Sequence, residues 1–162
     1  MNKFMCRRYL LFCVSLFVNA LGIAFITKAA LGTSPITSVT YVLSMFTPFT
    51  IGQWTILLNL LFVILELFLM TREDLKSDFR MYLLQIPISF CFGMFIDLCM
   101  HYILFWLNPV EYVYMIVALL IGCVILAVGI ALEVKANAAM MAGEYFVKVI
   151  TRRFRGEFGY IK

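Results

Sequence analysis

An aspartate inside a long apolar stretch is the first position at which this chain could do chemistry. Asp97 lies within YLLQIPISFCFGMFIDLCMHYILFWL, and His101 follows one helical turn later on the same face. If that stretch lies in lipid, an ionised carboxylate costs roughly 2.5–3.5 kcal/mol. Asp97 is therefore predicted to face other protein groups, as a proton- or cation-coupling carboxylate or as a structural hydrogen-bonded one.

A helix break follows the first apolar stretch, at LGTSP. Ser34 or Thr33 can cap a new helix there, Pro35 suits its first turn, and Gly32 precedes the cap. A helix that starts inside a membrane presents unpaired N–H groups, equivalent to about half a positive charge. These residues predict a site for a small solute with an anionic group. The alternative is a capped surface turn between two spans.

Acidic residues also occur in the second break segment and near the end of one span. Glu144 and Lys148 are four residues apart and could pair. The alternative for residues 137–155 is an amphipathic helix on the cytoplasmic surface. Glu66 is close to the end of its span, where its side chain is expected to reach the interface. The predicted substrate-binding residues are Gly32, Thr33, Ser34, Pro35, Asp97 and Glu144.

Composition defines the class of protein that must position these residues. The chain is 64% hydrophobic and 14% charged, with a mean hydropathy of +1.00. A soluble protein of 162 residues could not bury so much apolar surface, so lipid must be its solvent. We predict an all-α, polytopic transmembrane helix bundle forming one membrane domain over 1–162. Four spans are predicted, at Tyr9–Thr27, Ile51–Met70, Tyr82–Leu107 and Tyr112–Val134.

Two further segments, 30–48 and 137–155, are either poor spans or re-entrant half-helices. With the basic N-terminus in the cytoplasm, re-entry keeps the predicted loop TREDLKSDFR, which contains Arg72, Lys76 and Arg80, on the cytoplasmic side. Full crossing moves those three outside, so the preference for basic residues inside favours re-entry.

The two segments occupy equivalent positions in an internal repeat. Superimposing Gly22 on Gly129 also aligns Lys28 with Lys135 without a gap, and Glu144 with Thr37. Three crossings per unit predict an inverted repeat, with unit one at 9–107 and an incomplete unit two at 112–162. A full second unit would need roughly 50 more residues, so the sequence is expected to be a fragment or to carry a degenerate second copy.

Several functional classes lack support in the sequence. It contains no P-loop, G-x-G-x-x-G, H-E-x-x-H or C-x-x-C pattern. We expect no enzymatic activity, cofactor, metal or nucleic-acid partner. The cysteines are scattered and are read as small apolar residues.

The motifs GIAFITKAALGTSPITSV, TIGQW, QIPISFCFGMFID and GIALEVKANAAMMAGE resemble the YczE/YitT-type multi-pass membrane proteins of bacteria. This resemblance covers nearly the whole chain. It implies the bacterial cytoplasmic membrane but little biochemistry, because the family is mostly described as membrane proteins of unknown function and only sometimes as permeases. The positions that match are Gly22, Lys28, Gly32, Pro35, Gly52, Gln85, Gly93, Asp97 and Glu144.

Two functions follow from these patterns. The first is a small secondary transporter or permease-like subunit that binds a small solute, with an anionic group as its natural complement, at the repeat interface. It would act as a homodimer or with a partner membrane subunit. The alternative is a non-transporting scaffold or regulatory subunit, in which the polar positions hold helices together.

Overall fold

The computed structural model describes residues 3–70, 72–107, 109–136 and 141–154, and every regular element in these ranges is helical. A π-helical turn at Cys99–Ile103 continues the fourth α-helix. The α-helices are α1 (Lys3–Lys28), α2 (Pro35–Phe46), α3 (Ile51–Leu69), α4 (Arg72–Leu98), α5 (Tyr112–Ala136) and α6 (Ala142–Phe154). The all-α prediction is confirmed for the described residues.

Four of these helices contain segments long and apolar enough to cross a membrane: Arg7–Lys28, Ile51–Leu69, Tyr82–Ile103 and Tyr112–Ala136. They coincide with the four predicted spans. By helix length and composition, the chain is a multi-pass membrane protein.

The stretch between the second and third spans differs from the prediction of a loop. Residues 72–80 are the first turns of α4. Arginine, glutamate, leucine and lysine all have high helix propensity, so the apolar span extends at its start into a polar helix.

The two break segments form short helices. α2 has 12 residues and α6 has 13, which at 1.5 Å per residue gives lengths of about 18 and 20 Å. A membrane core is about 30 Å thick, so neither α2 nor the described part of α6 is long enough to cross it alone.

The helices α1 and α5 pack against each other in antiparallel orientation through small residues. A Cβ atom on Gly22 would lie 2.8 Å from the Leu126 backbone nitrogen, and one on Gly122 would lie 2.7 Å from Ile26 Cγ1. A Cβ on Gly129 would overlap the Asn19 amide. Glycine at these positions lets the two backbones approach, as is common between membrane helices.

The second helix pair consists of α3 and α4, and aromatic contacts attach α1 and α6 to it. The rings of Phe17 on α1 and Phe95 on α4 meet edge to face, with centroids 5.6 Å apart. The rings of Phe62 on α3 and Phe146 on α6 stack with centroids 5.2 Å apart. The core lies mainly between α1, α4 and the start of α3; it consists of Phe12, Leu16, Ala20, Ala24, Ile51, Phe92, Ile96, Cys99, Leu104 and Ala136.

Candidate functional site

The break after α1 has the cap that the sequence predicts. Ser34 is the N-cap of α2, its Oγ accepts a hydrogen bond from the Thr37 N–H at 3.3 Å, and Pro35 occupies the first turn. Gly32 has a φ of +139°, a conformation that side-chain-bearing residues rarely adopt. Gly32, Ser34 and Pro35 are exposed, and Thr33 is half-buried.

The first turns of α2 and α6 approach each other beside the middle of α3. A Cβ on Gly143 would lie 3.4 Å from Ile36 Cδ1 and 3.9 Å from Phe62 Cε2. Phe62 is the twelfth residue of the span that starts at Ile51. The start of each short helix is therefore close to the midpoint of a long apolar one.

The predicted site residue Glu144 follows Gly143 in the first turn of α6. The structure thus brings its backbone to the start of α2, where Ile36 contacts the α6 turn. The side chain of Glu144, that of Lys148 and residues 137–140 lie outside the described parts of the chain.

Asp97 accepts two hydrogen bonds at the start of α3. Its Oδ2 accepts from the Thr50 hydroxyl at 2.6 Å, and its Oδ1 accepts from the Gly52 N–H at 2.9 Å. Thr50 is also the N-cap of α3, where it forms a capping box with Gln53. The Asp97 carboxylate therefore meets the positive end of α3 and stabilises the start of that helix.

Two glycines make this contact possible. A Cβ on Gly52 would overlap the Gly93 carbonyl oxygen and would lie 2.5 Å from the Asp97 Cγ atom. A Cβ on Gly93 would lie 2.4–2.8 Å from Ile56 and the Gly52 backbone. The two backbones meet so closely that the Asp97 side chain reaches the first amides of α3. The candidate residues thus lie at two places, since Asp97 bonds to α3 and Ser34 caps α2.

Buried or half-buried polar side chains recur along α3 and α4 between two points where the helices meet, the Asp97 contact and the Glu66–Gln85 pair. On α4 these residues are spaced by four or eight positions, so they share one face. We call this set the polar seam; it comprises Thr55, Asn59 and Glu66 on α3 and Gln85, Ser89 and Asp97 on α4.

A second buried polar contact joins α1 to α5. Asn19 Nδ2 donates to Glu133 Oε2 at 2.8 Å, and the two side chains are 1% and 5% exposed. Near the same end, Arg8 Nε donates to the Ala136 carbonyl at 3.0 Å. This contact is the helix-joining polar contact expected inside a membrane bundle.

An apolar groove of about 560 Å³ lies where α1 ends and α5 begins, away from these polar contacts. Phe25, Trp106 and Tyr114 are among its lining residues. The described residues contain no cluster of three or more His, Cys, Asp or Glu side chains that could hold a metal ion.

A family model described as a family of unknown function, DUF6198, matches residues 6–162. The chain belongs to the DUF6198 family. No curated protein and no solved structure matches it. The family gives no biochemical activity, so any function of this DUF6198 protein must be argued from its own residues.

The prediction that the Glu66 side chain reaches the membrane interface is wrong. Glu66 is 0% exposed, so its side chain does not reach the interface, and Gln85, beside it, is 1% exposed. The side-chain oxygens of Glu66 and the amide atoms of Gln85 form no well-aligned hydrogen bond, although the Gln85 amide lies close enough to Glu66 to act as a donor. Sequence reasoning missed this pair because the partner of Glu66 lies on another helix. The repeat of polar or small residues every fourth position from Gln85 to Asp97 was the available signal.

Proposed function

We propose that this DUF6198 protein is a small secondary transporter or permease-like subunit. It binds a small solute between the first turns of α2 and α6. The observation that carries the proposal is the approach of Gly143 to Ile36 beside Phe62. Two half-helices that start near the middle of a bundle and direct their N-termini at a common site are a recurring feature of secondary transporters.

The environment of the aligned residues supports an inverted repeat. Gly22 and Gly129 are both buried in the contact between α1 and α5. Ala29 and Ala136, which follow the aligned lysines, are 0% and 2% exposed. If α1 and α5 are the first helices of two related units, residues that align in sequence are expected to have similar packing.

The chemistry of the helix starts favours a solute with an anionic group, such as a carboxylate. Pro35 has no N–H, and Ser34 already satisfies that of Thr37, so α2 offers only part of its first turn. The first turn of α6 supplies the remaining amides, and Glu144 adjoins them. A solute that also carries an amine or hydroxyl group would complement the positive helix starts with its anionic group and the negative charge of Glu144 with its donor.

The orientation and location belong to the same proposal. The positive-inside bias favours a cytoplasmic N-terminus, and the YczE/YitT-type resemblance supports a location in the bacterial cytoplasmic membrane. Lipid surrounds the bundle, and a homodimer or a partner membrane subunit completes the transporter.

The test is the thermal stability of the purified protein with a panel of small carboxylates, amino acids, sugars and vitamins. A solute at about 100 times its Kd stabilises a protein by ~2.7 kcal/mol. We expect at least one solute to raise the unfolding midpoint of the wild type but not that of Gly143→Leu. Leucine would occupy the space between Ile36 and Phe62.

Gly143→Ala is the matched control, because its Cβ would make an ordinary contact at 3.4 Å. It should keep the midpoint shift. If the unfolding midpoint of Gly143→Leu still rises with the solute, the solute binds at another site. No shift with any solute, in a wild-type protein shown to be folded, would contradict the proposal.

One observation favours the scaffold as a second candidate. Asp97, the carboxylate expected to couple transport, makes two hydrogen bonds to α3. A scaffold would use its polar residues in this way, and it would bind a protein partner and no solute. Stable co-purification of one membrane partner would support this candidate. The partner should also become less stable when a change of detergent separates the two proteins.

A further inference from the structure

The Glu66–Gln85 pair is the least satisfied polar group among the described residues. The two side chains are 0% and 1% exposed. Four of their polar atoms, namely both carboxylate oxygens of Glu66 and both amide heteroatoms of Gln85, lack a hydrogen-bond partner. Buried polar groups are nearly always hydrogen-bonded, so an unsatisfied set of this size points to a ligand or a proton.

An ionised Glu66 has no described partner that could compensate its charge. α3 contains no lysine or arginine, and the group that faces Glu66 on α4 is the neutral Gln85 amide. Among the described residues, the titratable side chains on the helices packed against α3 include Tyr41 on α2, Tyr82 on α4 and Tyr145 on α6. Tyr82 is within electrostatic reach of Glu66. A tyrosine is neutral near pH 7 and leaves a carboxylate charge uncompensated.

The available ligand atoms favour a proton over a metal ion. Glu66 and Gln85 together present three oxygens, whereas Mg²⁺ and Ca²⁺ require six or more. A proton needs one oxygen to form the O–H bond and one acceptor. The Glu66 hydroxyl would then donate to Gln85 Oε1, and Gln85 Nε2 would donate to the other oxygen of Glu66. All four atoms would gain a partner from one added proton.

The polar seam connects this pair to a less buried end. Ser89 and Thr55 contribute hydroxyls along it, and Asn59 contributes an amide. The seam ends at Asp97 and Thr50, which are both half-buried. Hydroxyl and amide groups between two carboxyl groups can stabilise the water molecules through which protons move.

We propose that Glu66 and Gln85 form an exchangeable proton-binding site at the closed end of the polar seam. Glu66 carries the proton at neutral pH. In the transporter this site supplies the coupling ion, a role that rests on the function proposed above. The proton site itself depends only on Glu66, Gln85 and the seam, so failure to find a solute would leave it standing.

Infrared spectroscopy of the full chain in lipid nanodiscs tests the site directly. At pH 7 the wild type should show a protonated-carboxyl C=O band that shifts after transfer to D₂O. The band should shift further when the protein is made with ¹³C-carboxyl glutamate, which separates Glu66 from Asp97 without a mutation. It should be absent in Glu66→Gln and present in Asp97→Asn.

Three results would overturn the proposal. The wild type could lack the band at pH 7, which would mean that Glu66 is ionised. The band could persist in Glu66→Gln and so belong to another glutamate. The band could also remain unshifted after long incubation in D₂O, and the proton would then not exchange. The isotope measurement on the wild type separates glutamate from aspartate, and Glu66→Gln separates Glu66 from Glu133, the buried glutamate on α5. If Glu66→Gln does not fold, Glu133→Gln decides instead: the band should persist in it, and its loss there would overturn the proposal.

Discussion

Two carboxyl groups lie at opposite ends of the polar seam, and their surroundings differ. Asp97 accepts hydrogen bonds from the Thr50 hydroxyl and the Gly52 N–H, at the positive end of α3. Glu66, near the other end of the same helix, is more deeply buried and has no hydrogen-bond partner. The first is a carboxylate that holds two helices together. The second is the group to which we assign an exchangeable proton, because no contact among the described residues fixes its charge.

This difference shows that the presence of an acidic residue in a span does not identify a coupling group. Two hydrogen bonds to the start of α3 give Asp97 a structural role. Glu66 is fully buried beside the neutral Gln85 amide, which is the basis of the proton site proposed above. Substitutions at three positions test this difference.

The largest effect is expected at the glycine contact on which the Asp97 end depends. In Gly52→Ala the new Cβ would meet the Gly93 carbonyl oxygen and Asp97. Because a backbone oxygen cannot move aside locally, α3 and α4 must separate, at a cost of about 3 kcal/mol. Unfolding in a detergent titration measures the loss, with Gly143→Ala as the tolerated control. Equal stability of the two variants would show that the helices do not meet at Gly52.

A smaller loss is expected when the Asp97 carboxylate is removed. Asp97→Ala leaves the Thr50 hydroxyl and the Gly52 N–H without their acceptor. We expect a loss of ~2 kcal/mol in the free energy of unfolding. Asp97→Asn keeps one acceptor oxygen for Gly52 and should lose about half as much. If Asp97→Ala is as stable as the wild type, these hydrogen bonds do not stabilise the start of α3.

The smallest effect is expected at the other end of the polar seam. In Glu66→Gln a neutral amide of the same shape replaces a protonated carboxyl, so the free energy of unfolding should change by less than about 1 kcal/mol. The same titration measures it, beside Asp97→Asn. A loss in Glu66→Gln as large as in Asp97→Ala would mean that an ionised Glu66 is held by a strong partner, which would remove the contrast between the two ends.

Local features of this protein could be predicted from its sequence. The four spans, the start of α3 at Ile51 and the Ser34 cap of α2 were all found where the sequence places them. Hydropathy over 20 residues and capping over four depend on neighbours in the chain, so they can be read without a fold. The helical start of α4 was missed because its polar residues resemble a loop in a membrane protein.

The site could be predicted only in part, because its contacts join distant residues. The sequence identified Asp97 as a group that must have partners, but the Gly52 amide that bonds it is 45 residues away. It could not show that Gly143 would approach Ile36, or that Glu66 would turn inward to Gln85. Each of these contacts depends on where two helices cross and on which face each presents.

The membrane environment, the four spans and the Ser34 cap of α2 follow from hydropathy and local capping alone. The tertiary structure decided which buried acid is satisfied and which is not. The physical reason is the close approach of Gly52 and Gly93, which brings Asp97 to the amides of α3. Among the described residues, no backbone N–H bonds Glu66 in this way, and the proposed proton site lies on the same helix pair as the Asp97 contact.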